Sequence, residues 1–230
     1  MTALQISCYT ETMMGRRGTL RNYSAEDKEE HMLDKVITIS REFGSGGREL
    51  GMKLAERLGV PFYDKDLISL SAEVSDLEEE VFLHYDEHLP VQQESLEQLH
   101  YTPFSTIYEI SMSDQIFLAQ SCVIRKLAEE GPCIIVGRCA DRVLESSINL
   151  FIYARMEERI KRMNSLETGV SPELMEERIR EIDKKRRDYY QYYTGCEWGK
   201  AQNYHLCLES SLVGVEGCLN SAMAYLNGLF

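Results

Sequence analysis

The sequence predicts an α/β fold, a parallel sheet covered by helices on both faces. Two observations carry that prediction. Short apolar-rich runs (VITIS at 36–40, CIIVG at 133–137, NLFIYA at 149–154, HLCLES at 205–210) recur between longer stretches of helical periodicity. CIIVG shows no polar alternation, as suits a strand buried on both faces of a parallel sheet.

The elements follow in order. Residues 1–34 show little periodicity and read as a loose leader, with Met32 a possible alternative start just before the first strand. VITIS is a buried strand. Over 47–58, Leu50, Leu54, Ala55 and Leu58 fall on one helical stripe, and Gly59 and Pro61 end that helix. PFYD is a short second strand. Residues 64–100 read as acidic helices, and His100–Thr106 as a loop around Pro103. Ser113–Glu130 is a helix capped by Ser113 or Asp114, with Ile116, Ala119, Val123 and Leu127 on one face, stopped by Gly131-Pro132. Helices are expected at 156–166 and 172–192, with Pro172 at a helix start, and a closing helix at 214–228. There is no internal repeat and no low-complexity segment.

With 230 residues the chain is long enough for one well-buried domain or a domain with an inserted lobe. Its composition, 43% hydrophobic and 27% charged, is that of a globular protein, with no apolar run near the roughly 18 residues a membrane helix needs. A net charge of −13 argues against a nucleic-acid partner, which requires a basic face. The charge is unevenly spread: Asp66–Ile124 holds twelve acids and no Lys or Arg, which leaves the rest near neutral. Such a stretch reads either as a solvated acidic face on an inserted lobe or as a contact for something neutral or cationic. Seven cysteines, an odd number with no C-x-x-C pair, point to reduced thiols and a cytoplasmic protein.

Three clusters carry candidate chemistry. The first is VITISREFGSGGRELG at 36–51, a strand, a glycine turn and a helix start. Glycines let backbone N–H groups approach an anion, and the helix N-terminus adds partial positive charge. Gly44, Ser45, Gly46, Gly47 and Arg48 would form this cradle; a tight turn that binds nothing is the alternative. Against the P-loop pattern G-x-x-x-x-G-K-[ST], with Gly46 as its second glycine, Arg41 stands at the opening glycine. Gly47 stands at the lysine and Arg48 at the Ser/Thr. Arg48 or Arg41 would then supply the missing positive charge. The second cluster is VGRCADRV at 136–143. Ligands of open α/β sheets sit beyond the carboxyl ends of the strands, so Arg138 and Arg142 would point to the same crevice. Asp141 would hold a metal-bound water, orient an arginine, or simply favour a helix start. The third is RIREIDKKRRDYYQYYTGCEWG at 178–199, where Lys184, Arg186 and Arg187 precede four tyrosines. It reads as an ion-paired surface helix, with Glu181 four residues before Lys185, or as a mobile lid that closes on a polyphosphate.

Taken together, these clusters resemble the cytidylate kinase-like family of P-loop kinases. The resemblance runs from about Val36 to Leu226 and rests on ITISREFGSGGRELG with PFYDKDLI, IIVGRCADRVL, LFIYARMEERIKRM and DKKRRDYYQYYTGCEWGKAQNYHLCLESS. It implies a three-layer P-loop NTPase fold at 35–230, with an inserted acceptor lobe at about 64–112 and a short lid at about 183–203. It implies ATP with Mg²⁺ as donor, largely ligand-held with no protein metal ligands, and CMP or dCMP as acceptor. Gly44–Arg48 then match the donor phosphate loop, and Asp64 and Lys65 the acceptor-binding turn. Arg138 matches the arginine of the GRD-type motif, and Asp183, Lys184 and Arg186 the lid. The expected transfer rests on Arg48, Arg138, Lys184 and Arg186, with Arg41, Asp64, Lys65, Arg138, Arg142 and Asp183 on the acceptor. An oligomer is possible. The chain departs from the family pattern at Gly47, at Cys139, which follows Arg138 where aspartate is usual, and in the base-free lobe. Those departures leave room for a kinase of a neutral or cationic acceptor, or for a regulatory nucleotide binder.

Overall fold

The computed structural model describes residues 35–75, 77–85 and 111–229. The predicted leader, the part of the acidic stretch at 86–110 and with it the expected loop at His100–Thr106 lie outside them. The described chain runs β1 (Val36–Arg41), α1 (Gly47–Leu58), β2 (Phe62–Tyr63), α2 (Asp66–Val74), α3 (Glu79–Tyr85) and α4 (Met112–Glu130). It continues through β3 (Ile134–Val136), α5 (Ala140–Val143), β4 (Ser147–Tyr153), α6 (Met156–Leu166), α7 (Pro172–Thr194), β5 (Leu206–Glu209) and α8 (Ser210–Asn227).

The five strands form one sheet in the order β2-β3-β1-β4-β5, every neighbouring pair parallel. β1 is central and pairs Ile37 with Ile134 on one side and Ile148 on the other. Alternation along β1 divides its side chains between two layers. Ile37 and Ile39 join Leu50 and Leu54 of α1 and Val215, Cys218 and Leu219 of α8. On the other face Val36 and Ile135 pack with Leu67 of α2, Val123 and Ile124 of α4, and Ala140 and Val143 of α5. Ile39, Leu50, Leu54, Ile134 and Leu150 have no exposed surface, and each such side chain contributes roughly 1.5–3 kcal/mol by leaving water. The expected parallel sheet with helices on both faces is what the chain forms.

Several boundaries moved for local reasons. α4 is capped by Ser111, whose hydroxyl accepts from the Asp114 N–H at 3.1 Å, rather than by Ser113 or Asp114. α8 begins at Ser210, and its helix breaks at Gly214 (φ 65°, ψ −176°) before resuming. α7 runs unbroken for 23 residues, started by the Ser171 cap and Pro172 and ended by Gly195 at φ 67°. Residues 183–194 of the expected lid are therefore the second half of this helix. Of the expected acceptor lobe, α2, α3 and the start of α4 share a small core of Ile68, Phe82 and Ile116.

Candidate functional site

The glycine loop leaves β1 at its carboxyl end and turns into α1. Gly44 and Gly46 take φ of 78° and 84°, and Gly46 is the α1 N-cap, with no side chain bonded to the first-turn amides. A left-handed φ strains any residue with a Cβ. Space is short as well: a Cβ on Gly46 would lie 2.7 Å from Val215 Cγ2, and one on Gly44 3.1 Å from Met163 Cγ. The loop is braced from within by Ser45, whose hydroxyl donates to the Glu42 carbonyl at 2.8 Å. From outside, the Ser210 hydroxyl donates to the Ser45 carbonyl at 2.7 Å. Uncapped amides at a helix start, reached by a glycine-rich loop, are what a phosphate group requires.

A buried ionic clasp fixes the first two loop residues. The Asp183 carboxylate, on α7, accepts from the Phe43 N–H at 2.8 Å and pairs with the Arg159 guanidinium. Arg159, on α6, also donates to the Phe43 carbonyl at 2.7 Å and stands 3.2 Å from Glu42. Glu42 accepts in turn from the Ala154 N–H at 3.1 Å. Burial raises the Glu42 pKa, and the Ala154 bond and the Arg159 charge pull against it. Asp183 and Arg159 are both nearly fully buried. Asp183, expected on the acceptor, thus holds the loop. The clasp residues Glu42 and Arg159 were missed in the sequence. The available signal was the basic spacing of Arg155, Arg159 and Arg162, which places all three on one helix face.

Beside the cradle the carboxyl ends of β1 and β3 border a narrow cleft, lined among others by Arg41, Arg138, Arg186, Tyr189, Tyr190 and Trp198. Arg138 is buried, and it and Cys139 both have positive φ (53° and 54°) directly after Gly137 at 81°. Two non-glycine residues in that region in succession is a costly turn of the kind found at functional sites. Arg186 donates to the Arg41 carbonyl at 3.3 Å and lies 5.7 Å from the Phe43 ring centroid, so the far half of α7 meets the cradle. Phe117 and Tyr193 stack at 4.0 Å next to Tyr189.

The remaining expected residues fall in different places. Asp64 is buried at the end of β2, bonded to Arg48 Nε at 2.7 Å with Arg41 3.6 Å away. Lys65 is exposed at the start of α2. Arg142 donates to the Tyr190 hydroxyl at 2.9 Å, and that hydroxyl donates to Asp141 at 2.6 Å. Burial raises the Asp141 pKa, while the Tyr190 bond opposes the rise. Neither Arg142 nor Asp141 lines the cleft. Lys184 is 74% exposed and pairs with Asp188 one turn on, turned away from Arg186. Among the described residues no three His, Cys, Asp or Glu gather to hold a metal. On the opposite side of the cradle, Gly44, Ser45, Arg162, Ser210, Ser211 and Gly214 line a second hollow of about 450 Å³. Arg162 is held there by Glu49. Among the described residues no helix is long and apolar enough to cross a membrane.

Comparison with known proteins bears on this arrangement. An uncharacterized protein from Eubacterium ventriosum ATCC 27560 is similar at 26% identity and TM-score 0.62, covering 84% of this chain and 98% of its own. The fold is shared with a shikimate kinase from Bacteroides thetaiotaomicron (15% identity, TM-score 0.50, 84% and 98% covered). It is shared as well with a gluconokinase from Sinorhizobium meliloti 1021 (14%, TM-score 0.51, 86% and 94%). No curated protein matches the chain. The architecture is that of the P-loop kinases, and the model of the cytidylate kinase-like family matches residues 36–212, from β1 into the first turn of α8. On that match the chain belongs to the cytidylate kinase-like family.

Proposed function

We propose that the protein is an ATP-dependent kinase that transfers a phosphoryl group to a small anionic acceptor, with CMP or dCMP the first candidate. The observation that carries the reading is the convergence of Arg41, Arg138 and Arg186, from three separate segments, on one cleft beside an uncapped helix start. Phosphoryl transfer asks little covalent chemistry of a protein; it needs positioned reactants and positive charge around the transferring oxygens. The cradle Gly44–Arg48 receives the donor phosphates on its backbone amides, and the rest of the donor lies toward the hollow beside Ser210 and Gly214. Arg138 and Arg186 hold the acceptor's charged group, and Tyr189, Tyr190 and Trp198 supply flat walls for its body.

Among the described residues no three His, Cys, Asp or Glu gather to hold Mg²⁺, and Arg48 stands where the P-loop pattern has its Ser/Thr. The metal's place would be on the donor's phosphates, where it would neutralise part of their charge. The guanidinium groups take over the charge stabilisation.

A second reading, a non-nucleotide acceptor, is favoured by the acidic, base-free stretch Asp66–Ile124. The arginine-lined cleft argues within it for an acid rather than an amine, because a cationic acceptor would face three guanidinium groups in partly desolvated surroundings. Incubation of the full chain with labelled ATP and Mg²⁺ against nucleoside monophosphates, anionic alcohols and aminated alcohols separates these readings. Transfer to CMP or dCMP supports the first, and transfer only to an anionic alcohol supports the second. ATP binding without transfer to any acceptor means a regulatory nucleotide binder instead.

A further inference from the structure

We propose that Arg41 is the cation of the phosphate loop, standing in for the lysine that the loop itself lacks; this rests on the reading of Gly44–Arg48 as the donor cradle. In the P-loop pattern the opening position is glycine and the position after the second glycine is lysine, which reaches the β- and γ-phosphates. This chain inverts the pair, with arginine at 41 and glycine at 47.

The structure gives the inversion a steric cause. Arg41 is the last residue of β1, and alternation with Ile37 and Ile39 turns its side chain to the α1 face. A Cβ on Gly47 would lie 2.5 Å from Arg41 Cβ, 3.1 Å from Arg41 Cγ and 3.3 Å from Ile152 Cβ. Positions 41 and 47 therefore share one space, and only one of them carries a side chain. The Arg41 stem fills that space, and its guanidinium extends to Gly137 at the end of β3, 3.6 Å from Asp64. It lines the cleft together with Arg138 and Arg186, while its stem backs onto Gly47, the last glycine of the cradle. The side chain is 12% exposed, whereas that of Arg48 is 56% exposed and tied through Nε to Asp64, with Met52 alongside. Of the two arginines next to the loop, Arg41 has the more shielded position. Its charge, partly desolvated, acts more strongly there than on the open surface.

The test is calorimetric titration of the full chain with ATP, with inorganic tripolyphosphate and with CMP. Losing a charged hydrogen bond to the donor phosphates in Arg41→Met is expected to weaken ATP and tripolyphosphate about tenfold or more. Arg41→Lys should retain most of the affinity. Gly47→Lys alone should bind worse than wild type, and the double variant Arg41→Gly/Gly47→Lys should return to within about threefold of wild-type affinity. A ligand-free melting cycle guards against misfolding: Gly47→Ala should lower Tm in the wild-type background and not in Arg41→Gly. Unchanged ATP affinity in Arg41→Met, with CMP affinity lost, overturns the proposal and makes Arg41 an acceptor residue. A double variant no better than Gly47→Lys, or Gly47→Ala equally harmful in both backgrounds, also overturns it. Wild-type protein that binds neither ATP nor tripolyphosphate brings down the donor-loop reading and this proposal together.

Discussion

Asp183 and Lys184 are neighbours on α7, yet one is shut inside the protein and the other stands in water. Asp183 is 6% exposed and bonds the loop backbone through Phe43, whereas Lys184 is 74% exposed and reaches only Asp188. A step of about 100° around the helix separates them. Arg186 comes back round to the cradle, while Lys185 pairs with Glu181 on the outside. A run of basic residues in sequence is thus two faces in space, a clasp that holds the site and a solvated stripe of ion pairs. Charges at one end of a helix are not equivalent, and partners at a distance decide which of them matter.

Removing the clasp should produce the greatest change. Asp183→Ala leaves Arg159 buried without its main carboxylate partner, and such a loss typically costs about 3–5 kcal/mol. Urea denaturation should show the midpoint falling sharply with the slope unchanged; a loss below about 1 kcal/mol would mean that water replaces the carboxylate. Next comes the contrast within the basic run. Arg186→Met should lower kcat/KM on the true acceptor by about tenfold or more, given the worth of a charged hydrogen bond. Lys184→Ala should shift stability by less than about 0.5 kcal/mol, as an exposed pair one turn apart does. An activity loss at Lys184 as large as that at Arg186 would show that the helix end moves onto the ligand, restoring the mobile-lid expectation.

A pH measurement sharpens the same contrast between buried and exposed charge. Asp141 has a pKa raised above its ordinary 3.8 by burial, so its protonated form is the one folding favours. The cost of ionising it is absent below that ordinary value and complete above the folded value, so stability contributed at this site falls as pH rises between them. Asp141→Asn should flatten that part of a stability-against-pH curve, and an unchanged curve would mean that Tyr190 and Arg142 already offset the burial. The smallest effect concerns Cys133, buried beside Leu127 and Ile135, whose pKa burial pushes up to about 11. Iodoacetamide at pH 8 should leave it unmodified in the folded protein and label it after unfolding, as mass spectrometry of the peptides would reveal.

Much of the fold was legible because its signals are local. VITIS, CIIVG and NLFIYA are strands for reasons contained within a few residues, and the Leu50, Leu54, Ala55 stripe marks α1 without reference to anything else. The glycine loop was equally plain, since the left-handed backbone at Gly44 and Gly46 tolerates little but glycine. The charged residues around it were not legible in the same way. Asp183 is placed on the acceptor by its match to the lid, and Arg142 by following a strand end, yet Phe43 meets Asp183 across 140 residues, and Arg142 meets Tyr190 across 48. Glu42 went unmarked because a lone acid carries no sign of its future partner, and the spacing of Arg159 with Arg155 and Arg162 gives a helix face but not the loop it packs against.

Residue pattern alone settled that this chain builds a parallel α/β sheet with a glycine-rich loop at the end of its first strand, because hydrophobic period and backbone preference act over one or two turns. The tertiary structure decided the strand order β2-β3-β1-β4-β5 and which arginines face the cleft. It decided as well that the space at position 47 belongs to the stem of Arg41. Those outcomes depend on close contacts between segments far apart in sequence, where excluded volume and the cost of burying an unpaired charge admit only one arrangement.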